Sequence, residues 1–299
     1  MTRSSDAAEP ALRRPLGLVL AGGGALGAWQ AAALRELERA GLVFDAVLGF
    51  SAGSLNGAAY SLNVLDLAIE GWGNCESLLR FRPRLSPPAL YSDEPVWRSL
   101  EYAHDDERAR RDLRCRLVVS SARWQRDRLI HAEFHPNGGR WDGPLAKHLM
   151  ATCAIPTIFP PVQLEHRGER HTLLDGGVPT KAGFPFTPLG DVADVIVLEM
   201  VRPDELGRRE WLPHRVVDQR SRTVCRRAMD DGAAELKRAK PAARVFRLHP
   251  SRALWRMLDF SSAKAREAVA LGACDARVFL ARPDDYLAGV QPQPVPFLP

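Results

Sequence analysis

Twice before residue 63 the chain runs through a short apolar stretch, breaks at glycine and resumes with helical spacing. The first stretch, residues 16–20, meets Ala21-Gly22-Gly23-Gly24-Ala25-Leu26-Gly27; residues 28–40 then carry Trp29, Ala33, Leu34 and Leu37 along one helical face, with Gly41 as a stop. The second, residues 44–50, runs into Gly49-Phe50-Ser51-Ala52-Gly53 and an Ala-rich helical pattern over 51–62. Unbroken apolar runs this short suit strands buried on both faces, the condition of a parallel sheet. A strand–glycine–helix unit repeated in tandem confines the chain to an α/β architecture.

The rest of the sequence keeps the alternation. Strands are expected at 117–120, 192–200 and 245–248, and hairpins over 123–134 and over 162–174 around Arg167-Gly168. Helices are expected at 145–154, with Asp142 as N-cap and Pro144 early in the first turn, over the charged region 204–240, and at 262–281. Residues 63–110, with Pro83, Pro87, Pro88 and Pro95, read as helices joined by irregular loops. The fold expected is a three-layer α/β/α domain with a mostly parallel central sheet over 14–287. A loose tail over 1–13 and a Pro-rich tail over 288–299 flank it.

Composition narrows the function classes. The formal net charge is only +5, and the arginines are dispersed among acids rather than gathered in a stripe, so no nucleic acid is expected as partner. Cys75, Cys115, Cys153, Cys225 and Cys274 are far apart and form no CxxC pair, which indicates neither a zinc site nor a disulfide framework. No run of eighteen apolar residues is present, and no apolar segment follows Met1. The expectation is a cytoplasmic protein, peripheral at most to a membrane.

Three motifs carry chemistry. The loop Gly22–Gly27 can turn tightly and present its amides to negative charge. It fits a dinucleotide fingerprint, an oxyanion hole and a plain strand–helix turn alike. Gly49-Phe50-Ser51-Ala52-Gly53 sits between a strand and a helix, as a nucleophile elbow requires, with the small Gly49 and Gly53 flanking a serine pushed above the sheet. If consecutive strands are neighbours, both loops open at the same carboxyl edge, where ligands bind in open α/β sheets. The dinucleotide reading wants an acid at the end of the second strand; Asp45 stands at its beginning. A base for Ser51 is offered by Asp175 in Leu174-Asp175-Gly176-Gly177, or by a histidine after it, His214 or His249, neither set in a motif.

Together these motifs resemble the patatin-like phospholipase family, whose pattern is an apolar strand, a glycine-rich oxyanion loop, a GxSxG elbow and a later Asp-Gly-Gly or Asp-Gly-Ala. The likeness extends through 151–162 (Ala-Thr-Cys-Ala-Ile-Pro-Thr-Ile-Phe-Pro-Pro-Val) and the closing segment to 281, nearly the whole chain. The resemblance implies Ser51 as nucleophile, Asp175 as base, and Gly22, Gly23 and Gly24, with Gly27 behind them, as oxyanion loop. Gly49, Gly53, Gly176 and Gly177 support the turns. Leu26 stands where many members have arginine, and 178–188 departs from the usual Asn-x-Pro run. The implied activity is serine acyl hydrolysis of lipid esters by a Ser–Asp dyad with no cofactor. A lipid or acyl-ester substrate and transient contact with a membrane surface go with it. A non-catalytic lipid-binding protein of the same fold and a dinucleotide-binding oxidoreductase are the alternatives. Trp72, Phe81, Leu90, Tyr91 and Trp97 are candidates for an acyl pocket or lid, and Arg80, Arg82 and Arg84 for headgroup contacts.

Overall fold

The computed structural model describes residues 12–181, 183–206 and 211–288. Most of both expected tails, 1–11 and 289–299, lies outside these. In chain order the elements are β1 (Leu16–Leu20), α1 (Gly27–Arg39), β2 (Ala46–Gly49), α2 (Ala52–Ser61), α3 (Leu65–Gly73), β3 (Arg80–Leu85), β4 (Pro88–Ser92), α4 (Glu94–Ser99) and α5 (Asp106–Asp112). There follow β5 (Arg116–Arg123), β6 (Leu129–Phe134), α6 (Leu145–Thr152), β7 (Val162–His166), β8 (Glu169–Leu174), β9 (Asp194–Leu198), α7 (Pro213–Ala239), β10 (Arg244–Leu248) and α8 (Ser262–Ala281).

The central sheet has eight strands in the order β10-β9-β1-β2-β5-β8-β7, with β6 also paired to β5. Five strands, β10 to β5, are parallel. β1 and β9 are buried at every position; β1 is an unbroken apolar run, and β9 is apolar after Asp194, whose carboxylate is paired with Arg13 and Arg244. The last three strands are antiparallel hairpin arms. From β1 the chain first builds outward through β2 and β5, then returns to place β9 on the other side of β1. The direction therefore switches at β1, and the glycine loop leaves the sheet there, at the place where open α/β sheets form a ligand crevice.

Helices cover both faces. α2 lies over one face, close enough that a Cβ on Gly57 would stand 3.0 Å from Val47 and 3.3 Å from Leu20. α1 and α8 pack beside it; a Cβ on Gly272 would come within 2.1 Å of the Trp29 carbonyl oxygen, so the two backbones nearly touch. On the other face Gly17 looks onto Leu189 and Val192, and Gly232 of α7 rests on the Phe186 ring. The result is the expected three-layer α/β/α arrangement. None of the described helices is long and apolar enough to cross a membrane.

Two expectations need correction. Residues 63–110 are not only helices and loops: β3 and β4 form an antiparallel hairpin. Every residue of β3 is exposed, so burial wrote no signature into its sequence. Asp142 does not cap α6. Its carboxylate accepts from the Glu133 amide at 3.1 Å and from Arg167 at 2.8 Å, while Asp106, from α5, accepts the Leu145 amide at 2.9 Å. The cap arrives from a segment distant in sequence, leaving Pro144 as the residue before the helix.

Candidate active site

The register of β1 and β2 pairs Leu20 with Gly49, so the glycine loop and the serine elbow leave the sheet side by side. Ser51 adopts φ 53°, ψ −135°, a strained conformation for a residue with a side chain. The turn is closed by Gly53 N–H donating to Phe50 O at 3.0 Å and Ser54 N–H to Ser51 O at 2.9 Å. No larger residue fits at Gly53, where a Cβ would lie 2.1 Å from the Leu20 carbonyl oxygen. The close approach of α2 to β1 thus forces the residue type and delivers Ser51 to the sheet edge.

Asp175 arrives from the opposite direction. β8 runs antiparallel to β5, pairing Leu174 with Ala122 beyond the level at which β5 pairs with β2. The chain then descends, so that a Cβ on Gly176 would meet the Ser120 carbonyl oxygen at 2.2 Å and Phe50 Cβ at 2.6 Å. Ser51 and Asp175, 6% and 5% exposed, line one cavity of about 520 Å³ together with Gly22, Gly23 and Gly24. Asp175 Oδ1 accepts the Gly177 amide at 2.7 Å. Oδ2 is buried and takes no completed hydrogen bond among the described residues. Burial pushes the Asp175 carboxyl up to about 6, against the neighbouring Ser51 hydroxyl and the Gly177 N–H, which both favour the ionised form. A carboxyl so placed is poised to accept a proton near neutral pH.

The glycine loop is set from behind. Gln30 Nε2 donates to the Ala21 carbonyl at 3.1 Å and to that of Leu198 at 2.9 Å. Asn56 Nδ2 donates to Gln30 Oε1 at 3.0 Å, and Trp72 Nε1 to Asn56 Oδ1 at 2.8 Å. A trans peptide points its C=O and following N–H oppositely, so fixing the Ala21 oxygen turns the Gly22 amide away from Gln30. Among the described residues the amides of Gly22 and Gly23 meet no acceptor. Gly27, inside the first turn of α1, faces the Trp72 ring rather than the cavity, and Leu26 is fully buried.

Thr152, within the 151–162 segment, is a site residue that no motif announces. Its Oγ1 accepts the Ser51 amide at 2.8 Å and donates to the Ser120 carbonyl at 2.6 Å. The same turn holds the other loop: Asp175 N–H donates to Ala154 O at 3.0 Å and Gly176 N–H to Thr152 O at 3.3 Å. Nothing in the sequence pattern distinguishes this threonine from an ordinary buried one.

The cavity wall also differs from expectation. Trp72 is buried beside Asn56, while Phe81, Leu90, Tyr91 and Trp97 do not line the cavity. Its wall comes instead from Val217, Val224 and Cys225 of α7, with the small polar Ser221 among them, from Ile155 and Ile158, and from Met257 and Leu258. The α7 positions recur at helical spacing and form one face. Of the alternative bases, His214 lies exposed at the cavity rim, and His249 contacts Pro250 O at 3.2 Å. Among the described residues no histidine hydrogen-bonds Ser51 or Asp175. Asp45 binds Arg14 and the Leu16 amide at the far edge of the sheet, and the buried Asp175 carboxyl shares the cavity with the glycine loop; both count against a dinucleotide there.

A sequence model of the Patatin-like phospholipase family matches residues 18–189. Among curated proteins, the lysophospholipase nte1 of Aspergillus niger is 28% identical over 170 residues, 55% of this chain and 10% of that protein. The lysophospholipase NTE1 of Coccidioides immitis is 27% identical over 175 residues, with the same coverage. The chain thus matches about a tenth of the length of these relatives. Among solved structures, VipD from Legionella pneumophila aligns with a TM-score of 0.43 at 13% identity, over 90% of this chain and 67% of that one.

Proposed function

The chain belongs to the patatin-like phospholipase family, and on that premise we propose that it is a serine acyl hydrolase acting on lipid esters, with Ser51 as nucleophile and Asp175 as base. The observation that carries this reading is that both side chains line one mostly apolar cavity, with the strained Ser51 near enough for its hydroxyl to favour the ionised form of the buried Asp175 carboxyl. Asp175 takes the proton of Ser51 as the hydroxyl attacks the ester carbonyl. Negative charge develops on the carbonyl oxygen, and the amides of the Gly22-Gly23-Gly24 loop, which lines the same cavity, are the donors proposed to receive it. The tetrahedral intermediate collapses, and the departing alkoxide takes the proton from Asp175 and leaves as the alcohol. Water, deprotonated in turn by Asp175, attacks the acyl-serine and releases the fatty acid, with the proton returned to Ser51.

The substrate class follows from the cavity and the family. A mostly apolar chamber of about 520 Å³ opening beside Ser51 suits an acyl chain. A lysophospholipid is the substrate named for the curated relatives, and it is proposed here with the same chemistry. Purified protein is to be incubated with a panel of mono- and diacyl phospholipids and neutral glycerides, and the fatty acid released read by mass spectrometry. Ser51→Ala and Asp175→Asn are each expected to lower release at least 10³-fold with unchanged circular dichroism. Near-normal hydrolysis by Asp175→Asn would sink the dyad. Failure of Ser51 to react with a fluorophosphonate would favour a non-catalytic lipid binder.

A further inference from the structure

β3 is exposed along its whole length, with the sequence Arg80-Phe81-Arg82-Pro83-Arg84-Leu85. Phe81 is 68% exposed and Leu85, at the hairpin tip, 96%. Arg80 pairs with Glu94 at 3.3 Å; among the described residues Arg82 and Arg84 make no ion pair. Protecting a sheet edge explains arginines and a proline on an outer strand. It does not explain two large apolar side chains left exposed on the same strand.

The hairpin is fastened to the cavity. β4 lies along residues 157–158, with Leu90 N–H donating to Thr157 O and Tyr91 N–H to Ile158 O, both at 2.9 Å. Thr157 and Ile158 line the chamber that holds Ser51. The Phe81 ring is set edge-on against Tyr91 at 5.9 Å between centroids, so the apolar projection stands on a supported base. An exposed, supported element bearing apolar side chains and unpaired arginines beside a lipid-sized cavity has the chemistry of an interfacial anchor.

We propose that the β3–β4 hairpin is the surface by which the protein docks on an anionic lipid membrane, an inference that rests on the acyl hydrolase reading for its choice of partner. Entering tip first, the hairpin places Leu85 and Phe81 at the acyl boundary. Arg82 and Arg84, on flexible stems, meet the lipid phosphates. The 157–158 segment then sets the cavity beside the surface that supplies its substrate.

The test is co-sedimentation of the full chain with vesicles of mixed phosphatidylglycerol and phosphatidylcholine, and with phosphatidylcholine alone. Hydrolysis of a water-soluble short-chain ester is measured alongside. Wild-type protein is expected to bind the anionic vesicles at least tenfold more tightly, and to lose most of that preference at about 0.5 M salt, where surface charge is screened within a few ångströms. Arg82→Glu with Arg84→Glu is expected to abolish the preference. Phe81→Ser with Leu85→Ser is expected to weaken binding at every salt concentration. Both double variants keep wild-type rates on the soluble ester. Equal partition of wild-type protein onto the two vesicle types overturns the proposal, as does wild-type vesicle binding by both double variants, or self-association through this face in sedimentation. Salt-sensitive vesicle binding without any ester hydrolysis would overturn the hydrolase reading and leave the docking surface standing.

Discussion

Asp175 concentrates the consequences of burial in one side chain. Its pKa in the fold is about 6 against 3.8 ordinarily, so the buried carboxyl holds its proton more tightly than in the unfolded chain. The stability this lends is complete below pH 3.8 and is lost as pH rises through 6. At 1.4 kcal/mol per pH unit, ionised Asp175 costs the fold about 3 kcal/mol above that range. Asp175→Asn is therefore expected to melt higher than wild type at pH 8, with the gap closing near pH 4, in thermal scans across pH. Because the base must be ionised to act, kcat/KM of the wild type should fall about tenfold per unit below pH 6; a flat profile from 4.5 to 7 would exclude Asp175 as base. Thr152 has a different signature, since it touches the serine through the backbone alone. Thr152→Val is expected to lower kcat by roughly tenfold or more with KM little changed, because a 1 Å shift of a reacting group costs up to about a hundredfold. Thr152→Ser should restore most of it by keeping the hydroxyl that bridges Ser51 and Ser120.

At the scale of elements, α7 is the helix whose spacing was readable and whose role was not. Val217, Ser221, Val224 and Cys225 fall on one face at the periodicity that marks any amphipathic helix. Only packing decides that part of this face borders an open chamber rather than filled core. Val224→Trp is expected to shorten the chamber, lowering kcat/KM for a dodecanoyl ester by tenfold or more relative to a butanoyl ester. Steady-state rates on the two esters measure this, and an unchanged ratio would place the acyl chain elsewhere. The β3–β4 hairpin was illegible for the opposite reason. Its prolines mask a strand pattern, and β3, exposed at every residue, lacks the alternation that burial writes into a sequence. The cap of α6 is illegible locally: Asp142 stands just before the helix, but its carboxylate turns to the Glu133 amide, and the Leu145 amide goes to Asp106, brought there by the docking of α5.

Across the whole molecule, the proposed dyad exists only while the sheet does, because β2 and β8 deliver its members from opposite directions onto a shared edge. Fluorophosphonate labelling of Ser51 is accordingly expected to vanish with urea at the same midpoint as the far-ultraviolet circular dichroism. Labelling that survives into denaturant would point to a reactive serine made by local structure alone. The parallel strands, the helices between them, the elbow and the glycine loop could all be read from the chain, since each is dictated by residues within a few positions of one another. Apolar runs form buried strands, and small residues stand where a strand must turn sharply into a helix. Which acceptor caps α6, which residues wall the cavity, that Thr152 fastens Ser51, and that the buried Asp175 carboxyl is driven toward pH 6 were decided by tertiary structure. Each depends on desolvation or on a contact between residues far apart in sequence, and neither leaves a periodicity that one chain can show.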